Sequence, residues 1–302
     1  MIDSSEMLRR PQVDWTHLVW RRFRRHPAAL GGSAILLFII FSTILVSLSP
    51  YDAKHHVVWD KFQPPSPRHP CGTDSLGRDV LTRLFYGGRA SLLVGFATTC
   101  ISLTIGLSVG MLAGYHGGLV DQILMRATDV FLSSPSLFVL IVASTLFRET
   151  HIPALAEGQP AVVALTIGSL SWMTIARLVR ASALSLRDRD FVVAARSLGA
   201  SSRRLMTLHI LPNTLGPVIV EATLLVAWAI LVEAGLSYIG FGVDPRTPTW
   251  GNMLREGQSY LTTYPWLSVA PGALIFFTVI SINYVGDGLR DALDPRVALG
   301  SR

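Results

Sequence analysis

The sequence predicts an all-α membrane protein with six transmembrane helices, and three observations carry that prediction. Half of the 302 residues are hydrophobic and only 15% are charged, against about 25% in a soluble domain; mean hydropathy is +0.44. Several windows of 18 or more residues hold no charge at all, which is the mark of membrane helices. The arginines gather between these windows, in the positive-inside pattern. That distribution also excludes nucleic acid as the partner behind the net charge of +6 and the pI of 9.7. The basic residues are 24 Arg and only 2 Lys, Lys54 and Lys61.

The elements follow in order. Residues 1–27 are polar and basic, with Arg9, Arg10, Arg21, Arg22, Arg24 and Arg25. Trp15, Leu18, Val19 and Phe23 fall at helical spacing, so this segment is either an amphipathic helix on the cytosolic face or a solvated leader. No cleavable signal is expected, because the first span starts late and no small-residue site follows it. Span 1 runs from about Ala28 to Leu48, and its 21 residues are just enough to cross about 30 Å of hydrocarbon. Pro50 ends it. An external loop, 51–87, starts with four prolines, and Asp74 is placed to cap a short surface helix holding Leu76, Val80, Leu81 and Leu84. Span 2 runs from about Ala90 to Ala113, with Gly106, Gly110 and Gly114 forming a packing ridge.

Span 3, about Leu119 to Phe147, follows the turn Tyr115-His116-Gly117-Gly118. Its start carries Asp121, Arg126 and Asp129, and the last two are spaced for an i,i+3 ion pair. Ser133-Ser134-Pro135 should kink it. Span 4 is about Gln159 to Ala176, span 5 about Gly216 to Ile239, and span 6 about Trp266 to Gly286. Three units result: 1–87, comprising the N-terminal segment, first span and external loop; 88–292, the main transmembrane domain; and 293–302, a cytosolic tail. Six spans put both termini on one side. With both inside, 17 of 26 Lys+Arg are cytosolic and 9 external, so the termini are expected in the cytosol.

Little chemistry is available. A P-loop needs lysine followed by Ser or Thr, but Lys54 precedes His55 and Lys61 precedes Phe62, so this chain has no such site. There is no HExxH and no GxSxG. His55, His56 and His69 lie in one loop, where they are read as solvated rather than metal-binding. Cys71 and Cys100 should sit at different depths and stay unpaired. The intramembrane polar candidates are Glu221, Glu233 and Asn283. The two glutamates are twelve positions apart, about 18 Å along a helix, and cannot form an acid pair. Each is read as accepting hydrogen bonds from a neighbouring helix or facing an aqueous vestibule. A proton relay at Glu233 would instead make the chain a secondary carrier.

The stretch 177–217 holds seven arginines. Within it Phe191, Ala194, Ala195 and Leu198 recur at i, i+3, i+4, i+7, which predicts a short helix with one apolar face. Asp190 is placed to cap that helix, Gly199 to end it in the left-handed conformation, and Ser201 or Ser202 to cap a second one that Pro212 ends. A loop needed only to fix topology requires no apolar face, no central glycine and no paired caps, so this hairpin is read as a docking element.

The residues VAARSLGASSRRLMTLHILPN resemble the EAA loop of ABC-importer permeases, whose pattern is EAA, three residues, Gly, nine residues, Ile, one residue, Leu-Pro. Ala194, Ala195, Gly199, Leu211 and Pro212 match it; Val193 stands where the family has Glu, and His209 where it has Ile. GTDSLGRDVLTRLFYGGRASLLVG (72–95), AGYHGGLVDQILMRATDVFLSSPS (113–136), PTWGNML (248–254) and GDGLRDALDP (286–295) are similar to the C-type permease subunit of peptide and nickel ABC importers.

The resemblance implies a type I ABC importer permease fold in a bacterial plasma membrane. It implies a non-catalytic subunit that forms half of a channel for di- or oligopeptides, with nickel or another small solute as the alternative cargo. A homologous second permease, two cytosolic ABC ATPase subunits or domains and an extracytoplasmic solute-binding protein would be its partners, along with membrane lipid. It binds no cofactor of its own; ATP and Mg belong to the partner subunits. The coupling residues it implies are Asp190, Phe191, Ala194, Ala195, Arg196, Gly199, Ala200, Arg203, Leu211 and Pro212.

Overall fold

The computed structural model describes residues 15–49, 51, 58–149 and 159–293. Arg9, Arg10, Pro50, His55, His56, the centre of the loop after span 3 and the tail from 294 onward lie outside them. The described residues form α1 (Trp15–Phe23), α2 (Pro27–Leu45), α3 (Val80–His116), α4 (Gly118–Ser133), α5 (Ser136–Glu149), α6 (Pro160–Ser169), α7 (Met173–Leu186) and α8 (Asp190–Ser197). They continue with α9 (Ser202–Ile239), α10 (Trp250–Gln258) and α11 (Trp266–Leu293). No strand occurs among them.

Four helices are long and apolar enough to cross a membrane: Pro27–Leu48, α3, α9 and α11. Two bent pairs bring the number to six if each is one span: α4 with α5 at 93°, and α6 with α7 at 46°. The Ser-Ser-Pro step therefore turns the chain through about a right angle rather than kinking it mildly. Proline 135 cannot donate to the preceding turn and pushes Ser134 into extended backbone, φ −86 and ψ 139.

Span 2 is longer than expected. The surface helix and the span are one helix of 37 residues, about 56 Å long. Its cap is Asp79, which accepts from Thr82 N at 2.8 Å, and not Asp74. The pair Gly87-Gly88 does not break it, because both are packed. A Cβ on Gly87 would lie 3.2 Å from the Thr249 backbone, and one on Gly88 would meet Thr43 Cγ2 at 2.6 Å.

The glycine ridge faces α7. A Cβ on Gly106 would lie 2.8 Å from Ile175 Cβ, one on Gly110 2.8 Å from Val179 Cβ, and one on Gly114 2.7 Å from Ala183 Cβ. Dispersion contact along such a seam is what holds helices together where no hydrophobic driving force separates them from lipid. Two ion pairs then tie α4 to α7. Arg180 grips both oxygens of Asp121, and Arg177 Nη2 lies 2.5 Å from Asp129 Oδ1. Asp129 thus pairs across helices instead of with Arg126.

At the N-terminus, His26 Nδ1 accepts from Ala29 N at 3.1 Å and caps α2. Val19 and Phe23 of α1 pack on Val285, Leu289 and Ala292 of α11, while Trp20 stays exposed. Cys71 and Cys100 are unpaired.

The end of the bundle where α3 begins is closed by a packed loop. Trp250 is fully buried and its Nε1 donates to Leu84 O at 2.9 Å. Phe62 stacks on Tyr264 at 4.2 Å. His69 is buried and meets Asp79 at 3.0 Å, so it is not the solvated loop residue expected, and among the described residues it joins no metal-binding group. Asp74 accepts from the N–H groups of Leu76 and Arg78, from Arg78 Nε at 2.7 Å and from Arg83 Nη1 at 2.5 Å. Glu256 on α10 takes the other side of Arg83 at 2.7 Å and 3.0 Å. Burial alone would raise the Asp74 carboxyl, but Arg83, Arg78 and the two N–H groups hold it below the ordinary carboxylate range.

Because the folded pKa is depressed, Asp74 contributes stability that is fully present above about pH 3.9, its unfolded value, and is lost as pH falls further, through the folded one. Thermal midpoints in detergent should show an acid-limb loss that Asp74→Asn reduces. The same variant should cost about 1–3 kcal/mol at neutral pH, since it removes one charged acceptor of buried Arg83 and leaves Glu256 as the other. Gly110→Leu should open the α3–α7 seam and destabilise by about 1–3 kcal/mol or more, read as a lowered midpoint.

Candidate functional site: a glycine-turned hairpin and a buried carboxylate

The hairpin begins at the end of α7. Arg189, with extended backbone, is the N-cap residue of α8 and makes no side-chain cap bond; Asp190 is the first helical residue. This corrects the expected Asp190 cap. The carboxylate still sits in the first turn, where the helix dipole favours it. Gly199 has φ +84, which only glycine adopts without strain. Around it Gly199 N donates to Arg196 O at 3.0 Å and Ala200 N to Ala195 O at 3.1 Å, the two bonds of a Schellman turn. Ser201 Oγ then accepts from Arg204 N at 3.4 Å and opens α9.

Pro212 does not end the second helix. The stretch Leu205–Ile210 is π-helical, with Leu211 N reaching back to Met206 O, and α9 continues through Pro212 to Ile239. The wider turn accommodates a residue that lacks N–H and whose ring would strike the carbonyl of Leu208. The hairpin's return arm is therefore the start of the fifth span.

The apolar face of α8 is split. Val192 is fully buried and packs with Leu205, Ile210, Val179 and Ala183, with Ala195, Ala200 and Leu211 at the margin. Phe191 and Ala194 point outward with Val193, and Leu198 is 90% exposed. Arg196, Arg203 and Pro212 are exposed as well. The expected single seam of Phe191, Ala194, Ala195 and Leu198 is thus a root on one side, through Val192 and Ala195, and a free apolar stripe on the other. The root rests on α7, the helix seated on the glycine ridge.

Glu233 lies far along α9 from the hairpin and has no exposed surface. It accepts from Ser91 Oγ of α3 at 3.0 Å and from Ser237 Oγ at 2.8 Å. Ser91 Oγ in turn receives Trp250 N at 3.3 Å, and Ser237 Oγ receives Val243 N at 3.2 Å. The network ties α3, α9 and the start of α10 together. Glu221 and Asn283 are half-buried on α9 and α11 and do not join it. Ser237, one helical turn beyond Glu233, was readable as a partner; Ser91 and Trp250 come from distant sequence and carried no local signal. Arg177 and Arg180 were read only as charges that fix topology, yet they clamp α4. Among the described residues no three His, Cys, Asp or Glu side chains gather as for a metal.

A family model described as "Binding-protein-dependent transport system inner membrane component" matches residues 106–299, hairpin included. The chain belongs to that family. A second model, "N-terminal TM domain of oligopeptide transport permease C", matches residues 15–65 of this permease. The oligopeptide transport system permease protein OppC of Bacillus subtilis (strain 168) is 38% identical over 277 residues, covering 91% of this chain and 88% of the relative. The di/tripeptide transport system permease protein DppC of Pseudomonas aeruginosa (strain UCBPP-PA14) is 39% identical over 285 residues, covering 92% and 91%. Among solved structures, the inward-facing MetNI methionine ABC transporter superposes with a TM-score of 0.56 at 21% identity, over 70% of this chain and 96% of that one. The fold is that of ABC importer permeases.

The buried network makes a structural role for Glu233 separable from proton relay. Glu233→Gln is close to isosteric, its oxygen accepting from one serine while its amide N–H donates to the other, and should leave transport unchanged, whereas a relay would lose it. Glu233→Leu removes the carboxylate to which two buried hydroxyls donate and should cost about 1–3 kcal/mol. Uptake into vesicles together with thermal midpoints reads both.

Proposed function

We propose that this permease forms half of the channel of an ATP-driven importer of di- or oligopeptides, and that the 190–212 hairpin receives force from a cytosolic ATPase. One observation carries the coupling role: the hairpin has a buried root, through Val192 and Leu205, and a free apolar stripe with arginines beside it. An element held firmly on one side and apolar on the other is suited to a groove in a partner. The names of the relatives, oligopeptide and di/tripeptide permeases, support the cargo class.

In this reading a homologous permease completes the channel and a solute-binding protein delivers cargo to the outer mouth. ATP and Mg are bound by two ATPase subunits or domains, and this chain performs no catalysis. Both termini face the cytosol, in keeping with the arginine distribution and with the hairpin's place on the same side. Val193, which replaces the glutamate of the pattern, points outward. Its departure therefore alters the docking face and leaves the hairpin's own fold intact.

Gly199→Val places a β-branched residue at positive φ, a strain of about 1–3 kcal/mol, and Leu198→Asp charges the tip of the stripe. In the purified complete transporter, both should lower peptide uptake per ATP hydrolysed at equal membrane abundance. Undiminished coupling in both variants would refute the docking role. Stimulation of the ATPase by a nickel-loaded binding protein, with none by a peptide-loaded one, would replace the cargo.

A further inference from the structure

At the end of the bundle opposite the hairpin, a basin of about 1510 Å³ opens between the start of α3 and the segment 245–260. Its charged lining is Arg78, Arg83, Arg89, Arg246, Arg255 and Glu256. Five guanidiniums meet three carboxylates there: Glu256 itself, Asp74 behind Arg78 and Arg83, and Asp244 against Arg246. Five minus three leaves an excess of two positive charges. Arg89 and Arg255 hold it, because neither has a carboxylate partner among the described residues. Among the described residues Arg89 donates to the end of the first span, to Thr43 O and Ile44 O and to Ser47 Oγ, and its guanidinium lies 5.1 Å from the centre of the Tyr86 ring. Arg255 is exposed on α10 and rests over Gly240, where a Cβ would lie 3.0 Å from its Nη1. Ala90, Leu93 and Tyr86 add apolar surface to the lining, which serves as the floor of the site.

A concave site with an apolar floor and uncompensated guanidiniums on its wall suits a small amphiphilic anion. Guanidinium forks match carboxylates in two parallel hydrogen bonds. The basin is larger than the roughly 300–1,000 Å³ of a closed ligand pocket, which suits a solute of several residues in a site whose other wall a second permease supplies. A convex protein surface would meet the arginines without reaching the floor.

We propose that this basin is the entry site for the transported solute, and that Arg255, together with Arg89, receives its carboxylate, the C-terminal one when the solute is a peptide. The proposal rests on the importer reading above and adds to it a permease contact that discriminates cargo by charge.

The test uses the complete transporter in proteoliposomes, with a tripeptide and its C-terminal amide, each at a concentration that saturates the binding protein. Wild type should take up the acid faster than the amide. Arg255→Gln should lower uptake of the acid about tenfold, the size of a lost charge-assisted hydrogen bond, towards the amide rate, and Arg255→Lys should restore part of it. The amount of binding protein giving half-maximal ATPase stimulation should not change. A shift in that amount would assign Arg255 to the binding protein and overturn the proposal. So would equal loss of both peptides, or loss of neither. Wild-type vesicles that take up neither peptide with ATP would sink the importer reading itself, and this proposal with it.

Discussion

The structure depends on backbone-to-backbone contact between α3 and α7. Three glycines at positions 106, 110 and 114 leave no side chain on one face of α3, and α7 occupies that space with Ile175, Val179 and Ala183. In lipid the alternative to protein contact is an equally apolar tail, so shape complementarity has to supply the preference. Once α7 is seated, its other sides become fixed points. Arg177 and Arg180 hold α4, and Val179 and Ala183 receive the root of the hairpin. The helix whose residues share a core with the hairpin is therefore the one seated on the glycine ridge.

Polar groups in the interior are spent on joints between distant segments. Glu233 joins α9 to α3 through Ser91, and through Ser91 to the N-terminus of α10. Arg83 joins the loop that precedes α3 to α10 through Asp74 and Glu256. Both groups draw partners from segments more than a hundred residues away in the chain: Ser91 for Glu233 and Glu256 for Arg83. Such bonds specify register where apolar contacts alone tolerate sliding.

Much of the fold was readable because its signals are local. Apolar windows poor in charge marked the spans, the four-residue spacing of glycines the ridge, and Gly199 with its following serines the turn. What was misread depended on tertiary partners. Asp74 and Asp79 are equally good caps by sequence, and Arg83 with Glu256 decides between them by claiming Asp74. Pro212 signals a helix end, but a π turn absorbs it. The face of α8 that turns inward was set by where α7 lies, so periodicity found an apolar surface without telling root from stripe. The basin left no sequence signal at all, since Arg89 and Arg255 are 166 positions apart.

The continuity of α9 has a mechanical consequence. From Ser202 to Ile239 its 38 residues make a rod about 57 Å long, so a tilt of about 5° about its centre swings each end by about 2.5 Å. One end is the return arm of the hairpin; the other carries Glu233 and leads into the segment that walls the basin. A tilt that swings the hairpin end one way thus swings Glu233 the other way by about 1.6 Å, and the hydrogen bond from Ser91 lies across that movement.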